Sequence, residues 1–237
     1  MRGELRLRIG GADLRIAPSL AATAAFFGVA AYVAGPPLFR GDIAWSLLAG
    51  SLFVTLVLAH ELGHAVAHTA LGDTVRSIEL HGLGGLTTST GPSDPARDMV
   101  TSAAGIMVNA VLAAAGAVVM LVTEASVRDA ALLFVIMNGA QLVENLAPVP
   151  GNDMAHVLTS RAEARGDTAH RSVPRSARVI GVVVWGVALA LVWANVAATQ
   201  SRVLYSLLFV GFGLWGWSMW KDESPRPAEA DGLHEAG

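Results

Sequence analysis

The sequence predicts a membrane protein built mainly from α-helices, with about six transmembrane helices and a small membrane-associated β-hairpin or sheet. Of its 237 residues, 53% are hydrophobic and 15% are charged, whereas about 25% are charged in an ordinary soluble domain. The mean hydropathy is +0.52. Several uncharged runs also reach about 20 residues, the length that crosses the hydrocarbon core of a bilayer.

Uncharged runs define six hydrophobic segments along the chain. They are 19–36, 43–70, 97–122, 130–147, 178–199 and 203–220. The first segment follows several arginines, as in a secretory signal peptide, but its apolar run is longer than the usual core of such a peptide. We therefore expect it to be an uncleaved first helix.

The charges that flank these segments predict their orientation. If the N-terminus is cytoplasmic and the six segments cross the membrane in turn, thirteen lysines and arginines lie on the cytoplasmic side. Three lie on the other side, namely Arg40, Arg128 and Arg202. Because cytoplasmic loops carry the excess of positive charge, both termini are expected to be cytoplasmic.

Two stretches have the alternating pattern of β-strands rather than the pattern of helices. Residues 5–16 alternate apolar and charged side chains, which favours a short hairpin on the membrane surface. Residues 75–90 show strand-like alternation followed by three glycines, Gly82, Gly84 and Gly85. These glycines fit either a turn or a sheet edge that a partner strand can approach closely.

Composition excludes several classes of function. The chain has no cysteine, so it has no disulfide, no cysteine-ligated metal and no thiol nucleophile. A formal net charge of -3 lacks the basic footprint of a nucleic-acid-binding protein, so nucleic acid is not an expected partner.

The second hydrophobic segment contains the run His60-Glu61-Leu62-Gly63-His64. Side chains at i and i+4 project from one face of a helix, so both imidazoles can reach one metal ion. Glu61 lies beside them, where a carboxylate can take a proton from a metal-bound water and pass it to a leaving amine. Ionisable groups at membrane depth are costly without partners, which favours a functional role over a purely structural one.

A third metal ligand is expected, because a catalytic zinc normally has three protein ligands and one open position. Asp153 is the candidate, since it follows a Pro-Val-Pro-Gly break at 148–151 that stops the preceding helix and allows an unusual turn. A non-helical backbone is expected to project Asp153 inward at the depth of the two histidines. Such irregular backbone needs surrounding protein or a watery cavity.

With these motifs, the chain resembles the site-2 protease family of intramembrane zinc metalloproteases, in its compact form without extra sensing domains. The resemblance covers about residues 5–158. It rests on the His-Glu-Leu-Gly-His-Ala run at 60–65, the Gly-x-x-x-Asn run at 105–109 and the Asn-x-x-Pro-x-x-x-x-Asp run at 145–153. Two departures flank the aspartate, where Met154 replaces the usual glycine and Asn152 replaces a common apolar residue.

The resemblance implies one Zn²⁺ per chain, with Glu61 as the catalytic acid and base. The implied metal ligands are His60, His64 and Asp153. The strand edge with its glycines would bind the substrate, through Gly82, Gly84 and Gly85.

Other polar residues near these motifs have less defined roles. The resemblance implies Asn109 and Asn145 as catalytic-site groups that stabilise an oxyanion or hold the substrate strand. Hydrogen bonding between helices is the alternative for both. His68 is expected to support the site or the fold rather than bind metal. Glu144 either supports a ligand histidine, pairs with another polar group or faces a watery cleft.

The activity that the resemblance implies is hydrolysis of a peptide bond in or near the transmembrane segment of a membrane-anchored protein, as in regulated intramembrane proteolysis. An anti-sigma factor or a signal-peptide remnant would fit as substrate, in the lipid bilayer of a prokaryotic cell. Two alternatives are a zinc-binding membrane regulator without protease activity and a metal or proton transporter. The transporter would use His60, Glu61 and Asp153 as a relay.

The domain organisation follows from these assignments, with a polar tail at the end that is expected to be disordered. The expected parts are a cytoplasmic N-terminal surface hairpin (1–18), a catalytic membrane core (19–158), a cytoplasmic Arg-rich loop (159–177), a C-terminal helix pair (178–220) and a disordered tail (221–237).

Overall fold

The computed structural model describes residues 4–34, 40–82, 84–92, 94–148 and 151–166. They form four strands and five helices. In chain order these are β1 (Leu5–Ile9), β2 (Ala12–Ile16), α1 (Pro18–Ala34), α2 (Ile43–Ala70), β3 (Val75–His81), β4 (Gly84–Ser89), α3 (Pro95–Val122), α4 (Ala125–Leu146) and α5 (Asp153–Ala164).

Three of the described helices, α2, α3 and α4, are long and apolar enough to cross a membrane. Helix α1 is apolar but shorter within the described residues. The prediction of a mainly helical membrane protein with a small sheet is therefore confirmed. The predicted segments 178–199 and 203–220 lie outside the described residues, so the number six stays a prediction.

Helix α2 has the bounds that the sequence predicts, 43–70. It begins after Asp42, whose carboxylate accepts hydrogen bonds from the backbone N–H groups of Ala44 (2.7 Å) and Trp45 (3.2 Å). These bonds satisfy two of the N–H groups that a helix start leaves unpaired.

The described helices differ from the predicted segments in two places. Helix α4 begins at Ala125 rather than at 130, because a helix can include charged residues such as Arg128 in its first turns while an uncharged run cannot. Helix α5 was not predicted. Asp153 is its first residue rather than part of a non-helical segment, and the helix continues to Ala164. A short polar helix carries no hydropathy signal, which explains the omission. The cytoplasmic Arg-rich loop expected at 159–177 stays a prediction.

The sheet has the strand order β1-β2-β3-β4. The β1–β2 and β3–β4 pairs are antiparallel hairpins, while β2 and β3 pair in parallel and are connected through α1 and α2. The core between the sheet and α2 contains Leu14, Leu20, Val57, Ile78 and Leu80. Strand β4 is therefore at one edge of the described sheet, directly beside the helix that carries the histidines.

Candidate active site

The His-Glu-x-x-His run lies in the second half of α2, on the side that faces the protein interior. His60, Glu61 and His64 are all buried. The neighbouring Gly63 allows α3 to approach closely, because a Cβ there would lie 2.7 Å from Val108 Cγ2 and 3.0 Å from the carbonyl oxygen of Ala104. The sequence thus combines two histidines on one helix face with a small residue that lets a second helix cover them.

Asp153 meets both imidazoles. Its Oδ2 atom lies 3.1 Å from His60 Nε2, and its Oδ1 atom lies 3.3 Å from His64 Nε2. The two Nε2 atoms are themselves 3.2 Å apart. The turn that precedes α5 passes through Gly151 with a φ of 90°, a left-handed conformation that favours glycine, and so brings Asp153 back toward α2.

Hydrogen bonds on the outer side of each imidazole define which nitrogen carries hydrogen. His60 Nδ1 donates to Asn109 Oδ1 over 2.6 Å, and His64 Nδ1 donates to the carbonyl oxygen of Thr101 over 2.7 Å. Asn109 is oriented in turn, because its Nδ2 donates to Gln141 Oε1 over 2.9 Å. With hydrogen on Nδ1, each neutral imidazole presents the lone pair of Nε2 to the other and to Asp153.

This donor set fits a divalent cation. Two lone pairs and a carboxylate at about 3 Å from one another repel unless positive charge lies between them. Asp153 Oδ2 is also buried without a hydrogen-bond partner among the described residues. Ligands around a tetrahedral zinc with bonds of about 2.0 Å are separated by about 3.3 Å. The 3.2 Å between the two Nε2 atoms, and the 3.1 and 3.3 Å from each of them to one of the two Asp153 oxygens, are close to this separation.

Gly105 of α3 leaves the space that such an ion needs. A Cβ at this position would lie 2.5 Å from His64 Nε2 and 2.7 Å from His60 Nε2, the two atoms with free lone pairs. A side chain would therefore compete with the ion for the same volume. This gives a physical reason for the glycine that begins the Gly-x-x-x-Asn run.

The Glu61 carboxylate lies beside the same cluster and is held by strand β4. Ligand atoms of His60, Glu61 and His64 all lie within 4.8 Å of one another. Thr87 Oγ1 donates to Glu61 Oε2 over 2.8 Å. Gly85 makes room for this carboxylate, because a Cβ there would lie 2.6 Å from Glu61 Oε1. Glu61 is thus held close to the two imidazoles, but by contacts with β4 that do not involve them.

The three glycines that the sequence assigns to substrate binding have different surroundings. Gly82 packs against α1, where its N–H donates to Ser19 Oγ over 3.1 Å. Gly84 opens β4 with a φ of 133°. Among the three, Gly85 is the one that adjoins Glu61.

The two asparagines also differ. Asn109 is 1% exposed and contacts His60, so it lies behind the His60 ring rather than at an open cleft. Asn145 donates to the carbonyl oxygen of Gln141 within its own helix, over 3.1 Å. Its described hydrogen bond does not reach the histidines. Glu144 contributes its backbone oxygen, which accepts a 2.7 Å hydrogen bond from Asn152 Nδ2 and ties α4 to the turn before Asp153.

Several residues that support the site could not be identified from the sequence, because their contacts leave no local pattern. Thr87 reaches Glu61 because of the register of β4, and the backbone carbonyl of Thr101 contacts His64. Gln141 contacts Asn109 from the neighbouring helix α4. All three contacts depend on tertiary packing. Asn152 stood out as a departure from the family pattern, and its bond to Glu144 shows what that side chain does.

A buried His-Glu-x-x-His run on a helix long enough to cross a membrane, with an aspartate beside both imidazoles, is typical of membrane metallopeptidases. The family model described as peptidase M50B-like matches residues 21–145. The chain belongs to this family, and the resemblance to site-2 proteases is confirmed. It is an integral membrane protein of a metalloprotease family that depends on zinc.

One solved structure adds to this result. The site-2 protease from Methanocaldococcus jannaschii has a TM-score of 0.57 and 18% sequence identity, covering 98% of this chain and 100% of that chain. At this identity the likeness shows a shared fold. A comparison with curated proteins finds no match.

Proposed function

We propose that the protein is an intramembrane zinc endopeptidase that cleaves a peptide bond in or near the transmembrane segment of a membrane-anchored protein. The observation that carries this proposal is the convergence of His60, His64 and Asp153 at 3.1 to 3.3 Å, with the Glu61 carboxylate beside them. A structural metal site needs no such carboxylate next to its ligands.

The residues that would hold one Zn²⁺ are His60, His64 and Asp153. A bound zinc would act as a Lewis acid toward the substrate carbonyl and lower the pKa of a water molecule. Asn109 and the Thr101 carbonyl keep the two histidines in the tautomer that binds metal. In this arrangement Asn109 is a positioning residue for His60.

Glu61 moves the proton. Its carboxylate takes one proton from the attacking water as the new C–O bond forms at the scissile carbonyl. It then gives that proton to the amine nitrogen as the C–N bond breaks, so the carboxylate is regenerated. Thr87 orients it for both steps.

Strand β4 supplies the place where an unwound substrate segment binds. A helical substrate hides its carbonyl groups in internal hydrogen bonds, so it must be extended before cleavage. An edge strand offers unpaired backbone groups to such a segment. Because Gly85 and Thr87 of β4 adjoin Glu61, a strand added here passes next to the proton carrier.

The remaining features of the proposal concern the setting. Both termini are cytoplasmic, and the bilayer is that of a prokaryotic cell. The substrate is a membrane-anchored protein such as an anti-sigma factor or a signal-peptide remnant, and cleavage is part of regulated intramembrane proteolysis. The five-part organisation predicted from the sequence belongs to the same proposal, and its last two parts, 178–220 and 221–237, lie outside the described residues.

The test compares Glu61→Gln with the wild type. Cells that produce either form are compared for fragments of membrane proteins by mass spectrometry, and the zinc content of each purified protein is measured. We expect the variant to keep its zinc and to lose all cleavage. Glu163→Gln, which changes an exposed carboxylate on α5, is the control and should cleave as the wild type does. Full cleavage by Glu61→Gln would contradict the proposal.

A further inference from the structure

A second polar cluster lies at the end of α2, one helical turn beyond His64. His68 Nδ1 is 2.9 Å from Asp73 Oδ2 and 3.0 Å from Ser89 Oγ. Arg97, at the start of α3, pairs with Asp73 and donates to the carbonyl oxygen of Leu71 over 2.9 Å. The Asp73 side chain is 4% exposed, so its charge depends on these partners. This cluster joins the end of α2, the end of β4 and the start of α3.

The direction of the hydrogen bonds follows from the charge on Asp73. The hydrogen bond from His68, together with the Arg97 guanidinium, holds the pKa of the Asp73 carboxyl below its usual range. Because Asp73 is ionised and only accepts, His68 Nδ1 carries the hydrogen. Ser89 Oγ lies within reach of that same hydrogen. His68 thus presents a donor that faces Asp73 and the end of β4.

Strand β4 is attached to α2 at two places. Residues 85, 87 and 89 alternate along β4 and so share one face of the strand. Thr87 binds Glu61, and Ser89 contacts His68, two helical turns further along α2. The chain then continues over Asp73 so closely that a Cβ on Gly91 would overlap the carboxylate.

From these contacts we infer that His68 is a positioning residue, which holds β4, the strand that binds the substrate. With Ser89, it fixes β4 lengthwise against the helix that carries the catalytic groups. An added strand takes its register from the edge to which it binds. The His68–Ser89 contact therefore sets which peptide bond of the substrate lies at Glu61. This inference rests on the proposed function, in which β4 binds the substrate.

Two substitutions at Ser89 test whether its contact with His68 affects the rate and position of cleavage. Ser89→Ala removes the oxygen that contacts His68, whereas Ser89→Thr keeps a hydroxyl. We expect Ser89→Ala to retain its zinc, to lower kcat about tenfold and to add cleavage at neighbouring peptide bonds, because the strand can shift. Ser89→Thr should restore both the rate and the single cleavage position. The measurements are kcat, KM, cleavage sites by mass spectrometry and bound zinc.

Thr90→Ala is the matched control. It removes the next hydroxyl along the chain, which accepts a hydrogen bond from the N–H of Thr74 and does not contact His68. We expect it to cleave like the wild type. The inference is overturned if Ser89→Ala matches Thr90→Ala in rate and cleavage sites. It is also overturned if Ser89→Ala loses zinc, since the cluster would then support the metal site rather than the strand.

Hydrogen exchange tests the attachment of β4 without any activity. In the purified protein, Ser89→Ala should exchange the β4 amides at least several-fold faster than Thr90→Ala does. Equal exchange would overturn the inference even in an active enzyme. Conversely, a wild type that cleaves no membrane protein would contradict the proposed function, while the exchange result would still report whether His68 holds β4.

Discussion

His60 and Asn109 form a buried hydrogen bond between α2 and α3, in which His60 Nδ1 donates to Asn109 Oδ1 over 2.6 Å. The bond lies on the side of the imidazole opposite to the nitrogen that faces Asp153. It therefore fixes the ring and its tautomer without occupying a metal position. Gln141 of α4 holds Asn109 in turn, so three membrane helices contribute to the orientation of one ligand.

Asn109→Ala is expected to weaken zinc binding by 10- to 100-fold, roughly the range found for such supporting partners of metal-binding histidines. The His60 ring would lose the acceptor that keeps hydrogen on Nδ1. The measurement is a competition titration with a chromogenic chelator on the purified protein. Asn138→Ala, which changes another fully buried asparagine that bonds within its own helix, is the control. Unchanged affinity in Asn109→Ala would show that the packing of α2 alone orients His60.

The three residues proposed as metal ligands could be selected from the sequence because each leaves a local signal. The i, i+4 histidines need only a helix, and Asp153 follows a Pro and Gly break that interrupts one. The helix α2 was predicted with its full bounds, since hydrophobicity and length agree over 43–70. The role of Thr87 had no such signal, because it depends on which side of β4 faces α2.

The structure distinguishes between residues whose roles at the site the sequence leaves open. The family resemblance implies the same role for Asn109 and Asn145, yet the first contacts His60 and the second bonds to its own helix. The difference arises from the packing of α3 against α2 and α4. Similarly, α5 is too polar and short to give a hydropathy signal, although its first residue, Asp153, lies beside both imidazoles.

Gly105→Ala is expected to lose zinc. The new Cβ would lie 2.5 Å from His64 Nε2, closer than side chains tolerate, and the imidazoles would have to move apart. We expect at least a tenfold loss of zinc affinity and no cleavage, measured by metal analysis and by the fragment assay.

Gly139→Ala is the matched control for this change. Gly139 is also a helical glycine, but a Cβ there meets nothing within 4 Å. It should bind one zinc per chain and keep its activity, and its better helix propensity adds up to about 1 kcal/mol of stability. A Gly105→Ala protein that binds zinc as tightly as Gly139→Ala would refute the assignment of the ion to this space.

Thr87→Val tests the contact between β4 and Glu61. Valine has nearly the shape of threonine but cannot donate the 2.8 Å hydrogen bond to Glu61 Oε2. We expect kcat to fall about tenfold while zinc content is unchanged, because a hydrogen bond to a charged group contributes about 1.5–3 kcal/mol. Thr87→Ser keeps the hydroxyl and should retain most of the activity. Equal rates for the valine and serine variants would mean that Glu61 needs no such partner.

Asp73→Asn tests the charge at the end of α2 through its pH dependence. Bonding to His68 and Arg97 holds the pKa of the Asp73 carboxyl below its usual range, so the folded state favours the ionised form. A lowered pKa contributes stability that is present above the ordinary value, about pH 4, and is lost as the pH falls through the lower folded value. The asparagine variant should therefore unfold at a lower temperature than the wild type at pH 5, and the gap should close below pH 4.

Thermal unfolding of both proteins in detergent micelles, followed at several pH values, measures this gap. Asp13→Asn is the control, because Asp13 is exposed and forms only a long ion pair, 4.0 Å, with Arg8 Nε among the described residues. Its midpoint should track the wild type at every pH, since exposed pairs contribute little. If the difference in unfolding midpoint between Asp73→Asn and the wild type stays constant below pH 4, the charge of the carboxylate does not stabilise the contact between the ends of α2, β4 and α3. Packing and uncharged hydrogen bonds would then account for it.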